Sequence, residues 1–302
     1  MSPLAIINPT SGGGGCGRKA PRVLDALARG GRSPDVAATD KPGAAAQIAA
    51  RAYADGRRAF LSMGGDGTLF EIVNGLIPAA LGDLRTAIAV APLGTGNSLV
   101  RDLPSVAVSD AATDEAFALA RPTDLLRVTC REKTFYCANM ISFGFAAAVG
   151  RVVTDYLKPL GPAAYLVGVL WRVAWLSPHM LPCRWADGAM RRERLTLLSV
   201  ANSRYTGVGM LMAPAARIDD GLMDLIVGGV VGRLELLRLF RGVFDGSHVL
   251  HRAVRQETTA ALEFDVAGPI GMIADGEYLE ATPLRIDVVP RAIRMLGVQI
   301  AV

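Results

Sequence analysis

Histidine and cysteine are scarce in this 302-residue chain. The four cysteines, Cys16, Cys130, Cys137 and Cys183, form no Cys-x-x-Cys pair, which removes the usual zinc and dithiol motifs. The chain is also too long to need a disulfide framework, so reduced thiols in a cytoplasmic protein are expected. His248 and His251 stand three residues apart with no third ligand nearby, and are expected at the surface rather than on a metal. Long apolar runs are missing too. The greasiest window, Leu160 to Leu176, has only 12 residues between Lys158-Pro159 and Arg172. A membrane span needs about 20, so the window reads as a core or interdomain helix, with membrane docking or lipid lining as the alternative. The opening "MSPLAIINPTSGGGG" has no basic stretch before an apolar core, so no secretory signal is expected. Two of the usual nucleotide signatures are absent: there is no G-x-x-x-x-G-K-[ST] and no protein-kinase signature set.

Charge excludes little. Thirty-two basic residues against 28 acidic ones give +4, which suits an anionic ligand or a membrane surface and gives no reason to expect nucleic acid. Half of the chain is apolar, enough for a sizeable core, and the length suggests two domains. In the first part, short apolar runs alternate with helical patterns. "LAIINP", "PDVAATD", "RRAFLSM" and "TAIAVAPLG" read as strands; "RKAPRVLDALARG", "KPGAAAQIAARAYADG" and "TLFEIVNGLI" read as helices. That rhythm predicts a parallel sheet covered on both faces. From about Arg127 the segments become short, β-rich and punctuated by turns, as antiparallel sheets are, with helices around Ala163 to Leu176 and in "GRLELLRLFRGVF". The expectation is an α/β fold: a three-layer parallel-sheet nucleotide domain over 1–126, which 290–302 could complete, then an antiparallel β-sandwich, lipid-binding domain over 127–289.

Three glycine-rich turns fall at carboxyl ends of the predicted parallel strands: "NPTSGGGG" (8–15), "GGDGT" (64–68) and "PLGTGNS" (92–98). Glycines let the backbone approach a phosphate, and a following helix adds a partial positive charge. Ser11, Thr68 and Thr95 can donate hydroxyls. Asp66 beside a phosphate site calls for a cation or ordered water, or it simply caps the next helix. Glu71 reads as a ribose or water contact, or as a surface acid complementing the helix dipole. "IDDGLMD" and "ADGEYLE" carry acids on turn sequences, the second with the Asp-Gly of a tight hairpin.

"GGDGTLFEIVNGL" followed by "PLGTGN" resembles the diacylglycerol kinase catalytic family, which includes bacterial lipid kinases and the sphingosine and ceramide kinases. "INPTSGGG", "TDKPGAAAQIA", "CANMISFGFAAAV", "MAPAARIDDGLMDLIV" and "ADGE" resemble its other segments, in order along the chain. The resemblance implies a two-domain kinase with ATP in the cleft, surrounded by Asn8, Ser11, Gly12, Thr39, Gly64, Gly65, Asp66, Gly67, Thr68, Glu71, Gly94, Thr95, Gly96 and Asn97. It implies a structural Mg2+ on the Asp220 side chain and the carbonyls of Arg217 and Leu222. It implies Asp275 as general base, with Glu277 as the nearby alternative.

One departure stands out. Many bacterial members carry Asn-Asp after Gly-Thr-Gly where this chain has Asn97-Ser98, which leans the substrate from diacylglycerol towards a sphingoid base, ceramide or another lipid alcohol. Met210, Leu211 and Met212, with Leu160 to Leu176, are candidates for an acyl-chain wall. Arg191, Arg192 and Arg194 are candidates for anionic headgroups. The expected partners are a lipid alcohol and a transient membrane surface, and a homodimer is compatible. The rival readings are an NAD kinase-like enzyme and an inactive lipid-binding regulator.

Overall fold

The computed structural model describes residues 2–31, 33–157, 160, 163–185 and 188–300. Lys158-Pro159, at the edge of the apolar window, lie outside these. The chain forms two compact units, 1–125 with 290–302, and 126–289.

In the first unit, β1 (Leu4–Ile7), β2 (Asp35–Ala38), β3 (Ala59–Gly64) and β4 (Ala87–Pro92) alternate with α1 (Gly15–Arg29), α2 (Ala44–Ala54) and α3 (Asp66–Ala80). The strands are parallel in the order β2-β1-β3-β4. The final strand, Pro283–Gln299, adds its Arg294–Gly297 portion beside β4, and Ser105–Ala107 (β5) pairs in parallel with its end. β1, β3 and β4 are buried almost throughout, which is why they read as continuous apolar runs. α1 turns Cys16, Ala20, Val23 and Leu27 inward at helical spacing. α2 and α3 pack tightly because Gly75 has no Cβ; one there would lie 2.2 Å from the Ala46 carbonyl oxygen. A short helix, α4 (Asp114–Ala118), is capped by Thr113.

The second unit is antiparallel. It starts within β6 (Arg121–Cys130), which pairs with β7 (Thr134–Cys137). A six-stranded sheet runs in the order 254–259, 223–228, 197–201, β8 (Met140–Gly144), 270–274, 277–281. A second set of strands pairs 190–191, 183–184 and 261–264 with the first part of the final strand. Among the described residues, this unit carries the α-helices α5 (Phe145–Val152), α6 (Ala164–Ala174) and α7 (Arg233–Gly242). Val149, Val169 and Val173 of α5 and α6 pack with Leu236, Leu237 and Phe240 of α7. All four cysteines are buried and free.

His248 corrects an expectation. It is buried, with Nδ1 3.2 Å from the Gly242 carbonyl and Nε2 3.0 Å from that of Met212. It ties the end of α7 to the Met212 segment, and burial pushes its pKa below the usual histidine value. His251 is half-buried against Glu235 (3.4 Å). No described helix is long and apolar enough to cross a membrane.

Candidate active site

The order β2-β1-β3-β4 reverses direction between β1 and β3. In open α/β sheets, ligands bind outside the carboxyl ends of the strands at such a point. There the three glycine-rich turns meet. A Cβ on Gly65 would lie 3.2 Å from Gly94 Cα and 3.3 Å from Ser11 Oγ, and one on Gly12 would lie 3.1 Å from the Leu93 carbonyl oxygen. Side chains at these glycines would fill the space where backbone now approaches backbone.

Local hydrogen bonds hold the turns. Asn8 Nδ2 donates to Thr68 Oγ1 (3.2 Å), and Asn8 Oδ1 accepts from the Thr10 amide and hydroxyl. Thr68 folds back onto Gly64, where a Cβ would lie 2.3 Å from its hydroxyl oxygen. Asn97, at φ 51°, accepts from the Gly94 amide (3.1 Å) and donates to the Gly94 carbonyl (2.7 Å). Its side chain therefore shapes the turn. Thr95 is exposed, and Gly96 is half-buried beside it. The Thr39 amide donates to the Ile7 carbonyl (2.8 Å), fixing the β2 end beside β1.

Asp66 opens α3 from the Gly65 cap. Its carboxylate accepts the Ser98 amide (2.9 Å) and the Ser98 hydroxyl (3.1 Å). Burial raises its pKa above the usual carboxylate value, and hydrogen bonds from Ser98, Leu99 and Asn97 pull it partly back. Ser98 stands out in the sequence only as a departure; the structure makes it the partner of the acid in "GGDGT".

Glu71 serves another helix. Its two carboxylate oxygens accept the amides of Gly43 (2.8 Å) and Ala45 (3.1 Å) at the start of α2. Acids are favourable at a helix N-terminus whichever helix supplies them. Glu71→Ala is expected to cost about 1–2 kcal/mol in urea unfolding, while Glu71→Gln, which keeps one acceptor, costs less.

In the second unit, Asp275 and Gly276 turn the hairpin between 270–274 and 277–281, both at positive φ (46° and 90°). The tight-turn reading of "ADGE" thus holds. Asp275 is 4% exposed. Oδ2 accepts the Ala138 amide (2.7 Å), and Oδ1 accepts those of Asn139 (2.9 Å) and Met140 (3.0 Å). The Asp275 amide returns a bond to the Met140 carbonyl (3.0 Å). Glu277, two residues on, is exposed.

Asp220 is exposed on its turn, with Oδ1 accepting the Leu222 amide (3.0 Å), while Arg217 faces Asp219 at 3.8 Å. Close by, Asp224 is buried, and its carboxyl is pushed up to about 6 by burial and by the charge of Asp220. A buried acid raised beside an exposed one suits a hard cation. Among the described residues, no group of three or more His, Cys, Asp or Glu could hold a metal, so such an ion would rely on carbonyls and water for its other ligands.

Met210 and Met212 join Tyr165, Ile226, Phe240 and Val243 around an apolar crevice of about 70 Å³ beneath α7. Met140, whose amide holds Asp275, belongs to the same packed cluster as Met210, Met212 and Val243. The three arginines proposed for headgroups fare differently. Arg191 pairs with Glu257 (3.2 Å) and stacks on Trp185, and Arg192 pairs with Asp265 (2.6 Å). Arg194 lies on an exposed strand end.

A parallel α/β unit with converging glycine turns, followed by an antiparallel β-sandwich unit, defines a kinase-type architecture in which the usual nucleotide motifs are replaced. Residues 2–128 match the diacylglycerol kinase catalytic domain, and residues 139–297 match the YegS C-terminal NAD kinase beta sandwich-like domain. The chain belongs to the YegS-like lipid kinase family, within the diacylglycerol kinase group. A "Probable lipid kinase YegS-like" from Xanthomonas euvesicatoria pv. vesicatoria (strain 85-10) is 32% identical over 285 residues, covering 90% of this chain and 89% of the relative. The Pseudomonas aeruginosa PAO1 protein of the same name is 32% identical over 271 residues, covering 88% and 85%. A solved diacylglycerol kinase structure from Bacillus anthracis str. Sterne has the same fold, with a TM-score of 0.68 at 19% identity over 97% of this chain and 95% of that one. Kinase-family membership makes the chain a phosphotransferase and implies ATP as co-substrate.

Proposed function

We infer that the chain transfers the γ-phosphoryl group of ATP to a hydroxyl of a membrane lipid. The observation that carries this is the meeting of Ser11, Gly65 and Gly94 at the sheet's reversal point. Backbone amides and hydroxyls there can grip a phosphate chain without a Walker lysine. The apolar crevice packed through Met140 towards Asp275 supports a lipid acceptor rather than a nucleotide one. At about 70 Å³ it has room for only a few methylenes, so a full acyl chain requires α7 to shift outwards.

In this reading Asp275 accepts the proton of the attacking hydroxyl. Three amides orient its carboxylate and the tight turn fixes its backbone. Orientation of this kind is where a general base gains most of its effect. Asp66 faces the phosphate side, held by Ser98. Mg2+ would supply charge neutralisation on the phosphates, and a second, structural ion would sit on Asp220 beside Asp224 with the carbonyls of Arg217 and Leu222.

The structural ion is testable without activity. Millimolar Mg2+ is expected to raise Tm by roughly 3 °C through ligand linkage, and Asp220→Asn is expected to abolish the shift. An equal shift in that variant would remove Asp220 as a ligand.

The function itself is tested by incubating purified protein with labelled ATP, a panel of lipid alcohols in mixed micelles, and NAD. Label in one lipid class supports the reading. Label in NAD alone would replace it with the NAD kinase alternative, and label in neither would leave the inactive regulator.

A further inference from the structure

A second cavity of about 730 Å³ lies beside α7, lined by Arg233, Arg238, Arg252, His251, Glu235 and Ser247 among others. It differs from the apolar crevice in kind. Three arginines line it, and no side-chain hydrogen bond or ion pair engages any of their guanidiniums among the described residues. The acid in its lining, Glu235, is engaged by His251 at 3.4 Å, and nearby Asp245 accepts from the Ser247 amide (2.9 Å). Arg233 is the first residue of α7, after the Gly232 cap, so the positive end of the helix adds to the same field. Unpaired arginines around a cavity cost self-repulsion unless an anion comes to them.

The rim is apolar. Leu234, next to Arg233, is 72% exposed, and Leu250, next to His251 and Arg252, is 85% exposed. No residue of α7 is fully buried. Exposed leucines alternating with unpaired arginines are the pattern of an element that lies in a bilayer interface, apolar groups in the acyl boundary and cations at the phosphates.

We propose that the α7 face docks the protein on anionic phospholipid bilayers, with a headgroup phosphate held by Arg233, Arg238 and Arg252 and with Leu234 and Leu250 inserted beside it. Charge complementarity selects this occupant. A second copy of the chain would bring the same cations and a net +4, and no Phe, Tyr or Trp lines the cavity to offer a stacking platform for nucleic-acid bases. The cavity and the apolar crevice share Leu239 and His248 as a common wall. A docked headgroup therefore sits one side chain away from the space assigned to the substrate's acyl part. The proposal rests on the lipid-kinase reading only for that last consequence; the docking itself does not need catalysis.

The test is vesicle sedimentation of the full chain with phosphatidylcholine alone and with 30% phosphatidylglycerol added, at fixed salt. The comparison variants are R233Q/R238Q/R252Q and a control with three α1 or flanking arginines changed, R18Q/R22Q/R29Q. Each arginine near an anionic surface contributes close to a factor of five, so the cavity variant should bind the anionic vesicles on the order of 100-fold more weakly. The control should stay within a few-fold of wild type, and Leu234→Ser/Leu250→Ser should weaken binding without altering its salt dependence. Kinase activity on a short-chain lipid in detergent micelles should be unchanged in the cavity variant; if activity is absent in every protein while vesicle binding follows this pattern, the function reading fails and the docking proposal stands. Equal binding to neutral and anionic vesicles, an undiminished cavity variant, or an equal loss in the control would overturn the proposal. So would binding of inorganic phosphate, an acidic protein or single-stranded DNA by the cavity in the absence of any vesicle binding.

Discussion

Asp275→Ala is expected to remove most phosphoryl transfer and several kcal/mol of stability together. The carboxylate is buried, and three backbone amides end on it. Alanine leaves all three without an acceptor in a place water reaches poorly. Each orphaned donor costs about 1–3 kcal/mol, so a total near 4 kcal/mol is expected in urea unfolding, a large part of a typical domain's margin. Loss of activity in this variant therefore says nothing about chemistry. Asp275→Asn separates the two roles. Its carbonyl can take the place of Oδ1 and keep the Asn139 and Met140 amides, while its NH2 faces the Ala138 amide, donor against donor. The expected cost is about 2 kcal/mol, small enough to leave a folded protein at low temperature. If Asp275 accepts the proton, kcat falls by about 1,000-fold in that folded variant and the acidic limb of the pH–rate profile disappears. A folded Asp275→Asn protein with kcat within tenfold of wild type would assign Asp275 to holding the start of β8 and move the proton acceptor elsewhere.

The parts of this fold that were legible in the sequence are those encoded locally. β1, β3 and β4 show as apolar runs because both faces of the sheet are covered, and the glycine turns show because their backbones need positive φ or close approach. Gly12, Gly13 and Gly14 all have positive φ. The parts that were not legible depend on partners far along the chain. Ser98 reaches Asp66 across 32 residues, and the amides holding Asp275 lie 135 to 137 residues away. Glu71 looks like an acid serving its own helix, but its oxygens cap α2, because α2 and α3 pack against each other through Gly75 and Ala46. His248 sits in a Gly-Ser turn, where a polar residue normally faces water. Its two ring nitrogens face the carbonyls of Gly242 and Met212, and the single N–H of the neutral ring donates to one of them, which holds it inside. The strand Val254–Thr259, "VRQETT", is too polar to read as one, and it is tolerated because it is an edge strand with one neighbour, 223–228. α5 was hidden for a different reason: Gly144, at φ 75°, ends the strand and starts the helix inside a single apolar stretch.

Asp66→Asn is expected to do the opposite of Asp275→Ala: to abolish activity while leaving the fold as stable or more so. The substitution is isosteric. The new carbonyl keeps an acceptor for the amides of the 97–99 turn, and the Ser98 hydroxyl can turn to accept from the new NH2. What disappears is a carboxylate whose pKa burial has raised. An acid raised in the folded state favours folding fully below its unfolded pKa, about 3.9, and that contribution is lost as pH rises through the folded value. Wild-type stability should therefore decline between acidic and neutral pH by an amount that the asparagine variant does not show, measured as urea midpoints at pH 4.5 and pH 8. Activity should move the other way, falling by at least about 100-fold, because a neutral amide beside the converging turns cannot recruit a cation to the phosphates. A group that weakens the fold when charged, and is charged when the protein works, marks a site selected for chemistry over stability. If Asp66→Asn instead loses stability at neutral pH and keeps its activity, Asp66 is only the cap of α3, and the glycine turns lose their one candidate for a cation-binding acid.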